Sequence, residues 1–241
     1  MIVRDEGPTF LLITQPDHAL LAEQIAAAVR TEPALSGPAR GVVLLAVREH
    51  DNGWSEVDAE PAVDPATGRP LDFMTGPAPV KHELWLRGIR RVARMHAHAG
   101  ALVAEHAVTV YGYRRAQADW RPFFDSITAL RDELLEQIGM MSGAGRARFD
   151  AEYRCVQIAD AFSLQFCNQW RESLATLDYR CRMEDATLII SPDPLAGATL
   201  DVRVLGRRIP AARYADDGEL REAMAAVPPV VVAGRVRAGA A

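Results

Sequence analysis

An aspartate in the middle of an apolar helix face constrains this chain more than any other feature. The segment 146–171 has helical periodicity, with Phe149, Tyr153, Val156, Leu164 and Cys167 recurring on one side. Asp160 falls inside that stripe, one helical step after Val156 and one before Leu164. A carboxylate facing a core costs on the order of several kcal/mol unless it is paired, hydrogen-bonded or bound to a metal. The fold must therefore bring a partner to Asp160.

The histidines offer one. His18 precedes Leu21, Ile25 and Val29 on their own helix face, and His50 continues Val43, Ala46 and Val47. His82 heads the stripe of Trp85, Ile89 and Val92, and His106 sits between Leu102 and Val110. Asp51 follows His50 directly. A lone inward histidine is more often a hydrogen-bonded core residue than a ligand. A group of inward imidazoles and carboxylates in one small core is harder to satisfy piecemeal. Imidazole and carboxylate are the usual ligands of zinc, manganese and iron. His96 lies toward a helix end and His98 faces elsewhere, so neither joins the candidate set.

Composition narrows the remaining classes. The chain is 49% hydrophobic and 24% charged, as in an ordinary globular protein. A net charge of -5 gives no basic footprint for nucleic acid. Lys81 is the only lysine among 27 basic residues, a bias typical of genome base composition, so arginine abundance does not by itself indicate phosphate binding. No apolar run reaches the roughly 18 to 20 residues that span a bilayer. Met1 to Phe10 carry charges and a proline where a signal peptide would have an apolar core. Cys155, Cys167 and Cys181 show no C-x-x-C spacing and fit a reducing compartment. These features predict a cytoplasmic monomer or small oligomer, such as a homodimer, with no nucleic-acid or membrane partner.

Along the chain, residues 9–13 read as a short buried strand. Thr14-Gln15-Pro16-Asp17 is a helix-start signal, and the helix it opens runs to about Arg30. The run Val42 to Val47 is read as a helix leading into Arg48-Glu49-His50-Asp51 and breaking at Asn52-Gly53. Residues 55–79, rich in proline, read as a long loop and a candidate lid. Helices are predicted at about 79–97, 99–113, 119–140 and 146–171. Strands follow at 187–190, 199–204 and 230–232, with a short helix near 217–226. The fold class expected is mainly α: an HD-domain-like helical bundle with a small C-terminal β-sheet appended, α+β overall. The helical domain would span 1–185, with an N-terminal strand, and a β-rich extension would span 186–241.

The order His18, His50-Asp51, Asp160 resembles the HD-domain superfamily of metal-dependent phosphohydrolases, named for its adjacent His-Asp pair. The pair stands here in Glu49-His50-Asp51-Asn52-Gly53-Trp54, and the later aspartate in Ile158-Ala159-Asp160-Ala161-Phe162. His82 and His106 lie between them, as in members of the superfamily that hold two metals. Trp54 stands where many of these phosphohydrolases carry a lysine. Nearly the whole chain also resembles an uncharacterised bacterial family of unknown function.

The resemblance implies a metal-dependent hydrolase of a phosphate ester or related small substrate, holding one or two divalent ions. Mn, Fe, Zn and Mg are not distinguished. His18, His50, Asp51, His82, His106 and Asp160 would be the metal ligands. Asp51 and Glu49 would be the candidate catalytic groups, and Lys81, Arg87 and Trp54 would meet substrate. Two alternatives stand beside it: a di-iron oxygenase of the same superfamily, and a non-catalytic ligand-binding protein that keeps an HD-like core.

Overall fold

Thr14 caps the first helix through its hydroxyl, which accepts from the Asp17 amide at 3.1 Å, and Pro16 occupies the first turn where its missing N–H costs nothing. This is helix α1 (Gln15–Ala28). The computed structural model describes residues 1–239. After α1 come α2 (Arg40–Glu49), the short α3 (Ser55–Ala59), α4 (Ala78–Met95), α5 (Ala97–Val110), α6 (Arg121–Gln137) and the long α7 (Gly143–Asn168). The helical elements expected from periodicity are all present, each beginning within a few residues of its predicted start.

The strands differ from expectation. Strands β1 (Ile2–Asp5), β2 (Thr9–Ile13), β3 (Leu174–Thr176), β4 (Tyr179–Glu184), β5 (Thr187–Ser191), β6 (Leu200–Pro210) and β7 (Val230–Ala238) form one 7-stranded sheet, with a further helix α8 (Asp217–Ala225) before β7. Its order is β1-β2-β6-β7-β5-β4-β3, and every pairing is antiparallel except β5 with β7. The protein is thus a mixed α+β fold, and the expectation of a mainly helical body with a small appended sheet is corrected. The sheet draws strands from both ends of the chain and begins well before residue 186. Two of the additional pieces were hidden by charge. β1 reads Ile-Val-Arg-Asp, and β4 alternates buried Tyr179 and Cys181 with exposed Arg180 and Arg182. Such alternation is what a strand covered on one face requires.

Strand β2 shows why its apolar run is continuous. Leu11 and Ile13 pack with Leu21 and Ile25 of α1 and with Ile158, Phe162 and Phe166 of α7. Phe10 and Leu12 point the other way, into a small cluster with Ile209, Tyr214 and Leu220 of α8. Both faces of β2 are covered, so both sets of side chains are apolar. A separate and larger core joins α2, α4, α5, α6 and the first half of α7. Helices α1 and α7 belong to both layers, because they lie between the sheet and the other helices. Asp160 sits on α7 at that junction. Among the described residues no helix is long and apolar enough to cross a membrane.

Candidate metal centre

Four segments deliver the polar groups to one buried point. His18 lies in the first turn of α1, His50 ends α2, His106 is on α5 and Asp160 on α7. Asp51 follows His50 where the chain leaves the helix and enters a tight turn at Asn52–Trp54. That turn is held by backbone packing. A Cβ on Gly53 would collide with the Leu84 carbonyl oxygen, and one on Gly88 would lie 2.9 Å from the Gly53 Cα. Only glycine at both positions lets the His-Asp segment approach α4 so closely. Asn52 adds a hydrogen bond from Nδ2 to the Glu49 carbonyl at 2.8 Å.

The donor atoms are closely grouped. His18 Nε2 lies 3.2 Å from His50 Nε2, 3.2 Å from Asp160 Oδ1 and 3.6 Å from Asp51 Oδ2. His50 Nε2 lies 3.3 Å from Asp160 Oδ1 and 3.5 Å from Asp51 Oδ2. His106 Nε2 approaches the other oxygen of Asp160 at 3.6 Å. Two donors each about 2.1 Å from a shared zinc-sized ion at ordinary coordination angles stand about 3.0–3.4 Å apart. The separations among His18, His50 and Asp160, 3.2–3.3 Å, fall in that range, and those to Asp51 and from His106, 3.5–3.6 Å, lie just beyond it.

The outer nitrogens fix the ring orientations. His50 Nδ1 faces the Val47 carbonyl at 2.6 Å and donates to it, since a carbonyl only accepts. Ser163 Oγ donates its single hydrogen to the Asp160 carbonyl at 2.9 Å, so at 3.0 Å from His18 Nδ1 it accepts from that ring. Both histidines thereby carry Nδ1–H outward and turn Nε2 toward the carboxylates. Metal-binding histidines are commonly oriented by such partners. Ser163 was not singled out from sequence, although it follows Asp160 by one helical turn. Ser163→Ala is expected to weaken divalent-metal affinity about 10–100-fold with little change in fold, measured by competition with a chromophoric chelator. Unchanged affinity would mean that the hydroxyl does not orient His18.

Charge in the centre is strongly coupled. Burial alone would raise the Asp160 carboxyl, but hydrogen bonds from His18 and His50 and the neighbouring imidazole charges hold it well below the usual carboxylate range. Burial also opposes charge on His50, yet Asp51 and Asp160 outweigh it and lift that ring to about 9. His106 has fewer such contacts, and burial drives it down to about 3. Asp51 is raised by burial, only partly countered by His50 and His18. Gln15 steadies Asp51 by donating from Nε2 to Oδ2 at 3.0 Å. The Gln15 backbone N–H donates to Asp58 Oδ2 at 2.6 Å, and the Met1 amino group donates to the other Asp58 oxygen at 2.6 Å.

A cavity of about 370 Å³ opens onto this centre. Asp51, His106 and Asp160 form one end, and its walls include Trp54, Trp85, Tyr111, Lys81 and Arg114. A larger depression of about 520 Å³ lies between β2, β6 and α8, but no histidine lines it.

Over residues 1–211 the chain matches the family described as Protein of unknown function (DUF3891). It belongs to DUF3891. No curated protein and no solved structure matches the chain. The family description carries no activity, so the chemistry of this DUF3891 protein rests on the site itself.

Of the ligands expected from sequence, the structure groups His18, His50, Asp51, His106 and Asp160, and it does not bring His82 to them. Two overlapping triads, His18-His50-Asp51 and His50-His106-Asp160, have the grouping of a metal site. His82 packs against the Trp120 ring at 4.7 Å and the Phe123 ring at 5.2 Å. Its place at the start of α4 put it on the same stripe as Trp85, but that stripe meets α6 at this end. Glu49 turns outward to Arg48. Arg87 forms surface ion pairs with Glu56 and Glu83. Neither Glu49 nor Arg87 lines the cavity, whereas Trp54 and Lys81 do. Arg114, which also lines it, was missed because it sits in a short turn outside every periodic segment. His98, expected to face away, pairs with Glu152 at 2.5 Å.

Proposed function

We propose that this DUF3891 protein is a metal-dependent hydrolase of the HD-domain kind, acting on a phosphate ester or a related small anionic substrate. The observation that carries this reading is the pair of Nε2 atoms on His18 and His50, 3.2 Å apart with both Nδ1 atoms engaged outside. Two nitrogen lone pairs so close repel one another unless a cation or a shared proton lies between them. With Asp51 and Asp160 at 3.2–3.6 Å from the same nitrogens, a divalent ion satisfies every group at once.

When bound there, such an ion lowers the pKa of a coordinated water and stabilises charge on the attacked group. The protein's own residues supply the rest. His18, His50, Asp51, His106 and Asp160 would hold the ion, and Asp51, His106 and Asp160 also line the cavity. Asp51, at the cavity end, is placed to accept a proton from water in the reaction. Gln15 holds the carboxylate of Asp51 in place. Trp54 and Trp85 narrow the cavity, and Lys81 and Arg114 give it a positive potential that favours anionic substrates. The geometry favours one ion over two, since His82 lies with Trp120 and Phe123.

Protein purified without a histidine tag is expected to contain about one equivalent of divalent metal. It should hydrolyse phosphomonoesters with Mn2+ added, stop with a chelator and recover on readdition. Protein that takes up no metal and turns over no ester would defeat the reading. A coloured, iron-dependent, oxygen-consuming protein would replace it with the oxidative alternative. The same preparation separates the two outlying histidines. His82→Phe is expected to retain full metal content, whereas His106→Phe is expected to lose affinity; the reverse order would contradict a single centre built on His106.

A further inference from the structure

Lys81 is an anomaly. It is 5% exposed, yet among the described residues it forms no ion pair and makes one hydrogen bond, from Nζ to the Met74 carbonyl at 2.9 Å. An ammonium has three donors, and burying one without an anion is costly. Asp72 is the carboxylate whose charge reaches it, but Asp72 spends its oxygens on the Val3 and Met74 amides. Arg114 is the second cation on this wall. It also makes no ion pair among the described residues, and its Nε is buried without a partner. Its guanidinium lies 5.0 Å from the Tyr113 ring and 5.9 Å from the Trp120 ring, and Nη1 donates to Gln117 Oε1 at 3.2 Å, so part of its edge is left for a ligand. Burial and then the charge of Arg114 lower the Lys81 pKa, and Asp72 offsets this only in part. Both cations line the cavity that reaches the His/Asp centre.

The rings between the two ends define what fills the middle. From the His106 ring to the Trp85 ring is 6.1 Å, from Trp85 to Tyr111 is 6.1 Å, and from the Tyr111 ring to Lys81 Nζ is 5.9 Å. Trp85 Nε1 donates to the Tyr111 hydroxyl at 3.3 Å, so the indole donor is already used. Phe73, Val110 and Leu164 complete the wall. Gln15 is the neutral amide in the lining; its Nε2 donates to Asp51, and its Oε1 is buried without a partner. Apart from the Gln15 carbonyl, the middle of the cavity is walled by aromatic and aliphatic side chains, which suit an apolar chain or ring better than a sugar.

We propose that Lys81 and Arg114 form an anion-binding subsite, and that the substrate is an ester with an apolar, hydroxyl-poor body carrying a second anionic group at the end away from the His/Asp centre. The ester part of this proposal rests on the hydrolase reading above; the subsite does not. The two cations clamp the distal anion, Trp85 and Tyr111 cover the body, and the reacting end reaches Asp51 and Asp160.

The test uses octanoate and octan-1-ol, which share a tail and differ in charge, followed through quenching of tryptophan fluorescence. The purified protein is expected to bind octanoate at least tenfold more tightly than octanol. In Arg114→Gln and in Lys81→Met, each checked for an unchanged melting transition, that ratio should fall to about one. Equal binding of the two probes by the unaltered protein overturns the subsite. So does a preference that survives in both variants, because the carboxylate then sits elsewhere. If Lys81→Met fails to fold, the more exposed Arg114 decides alone. Metal content measured on the same samples separates the two claims. Metal-free protein with an Arg114-dependent preference defeats the hydrolase reading and keeps the subsite; metal-loaded protein without the preference does the opposite.

Discussion

Asp160→Asn is expected to remove bound metal and lower kcat/KM on the order of a thousandfold, equivalent to about 4 kcal/mol of lost transition-state stabilisation. The substitution keeps the side chain's size and deletes its charge. Asp160 touches three imidazoles, with Oδ1 at 3.2 Å from His18 and 3.3 Å from His50 and Oδ2 at 3.6 Å from His106. An asparagine is neutral and keeps only one oxygen to meet an ion, and with Asp51 left as the remaining carboxylate the negative charge that offsets a divalent ion is halved. Metal analysis and steady-state kinetics check both effects. If the Asp160→Asn variant keeps full metal content and activity within threefold of the parent, the cluster is a buried hydrogen-bond network and nothing more.

The second large effect is steric. Gly53→Ala is expected to cost roughly 3 kcal/mol or more, because an added methyl cannot be accommodated without moving backbone. The new Cβ would run into the Leu84 carbonyl oxygen and stand 2.9 Å from its carbon, and neither atom belongs to a flexible side chain. For a chain of this size that corresponds to a melting temperature lower by about 6–12 °C. Separation of the His-Asp turn from α4 also shifts Asp51, so metal affinity should fall with stability. Calorimetry with and without added Mn2+ reads both. If the Gly53→Ala variant melts within about 2 °C of the parent (on the order of 0.5–1 kcal/mol), the close approach of the turn to α4 is not real.

Much of the centre was legible because burial of a polar group leaves a trace in periodicity. Asp160 betrayed itself by lying between Val156 and Leu164 on one helix face, and His18, His50 and His106 did so in the same way. Periodicity says that a residue faces inward; it does not say which core it enters. His82 failed on that point, since its stripe runs from the centre's edge at Trp85 to an aromatic cluster on α6. Arg114 and Ser163 failed differently. One lies in a turn with no period, and the other acts through a single hydroxyl that any helix tolerates. The sheet was under-read because β1 and β4 are short and carry charged residues, so their pattern is weak beside the strong helical signals that separate them.

The pairing of Leu11 with Arg208 joins the earliest strands to one made near the far end of the chain. During synthesis the first hairpin emerges with its neighbour still unwritten, and α1, which carries His18, has no sheet to lie on until β6 leaves the ribosome. At about 5–20 residues per second that delay is on the order of tens of seconds. Contacts of such long range also slow the folding that follows. The newborn protein thus passes through an interval in which the apolar edge of β2 is open to strand exchange with other chains.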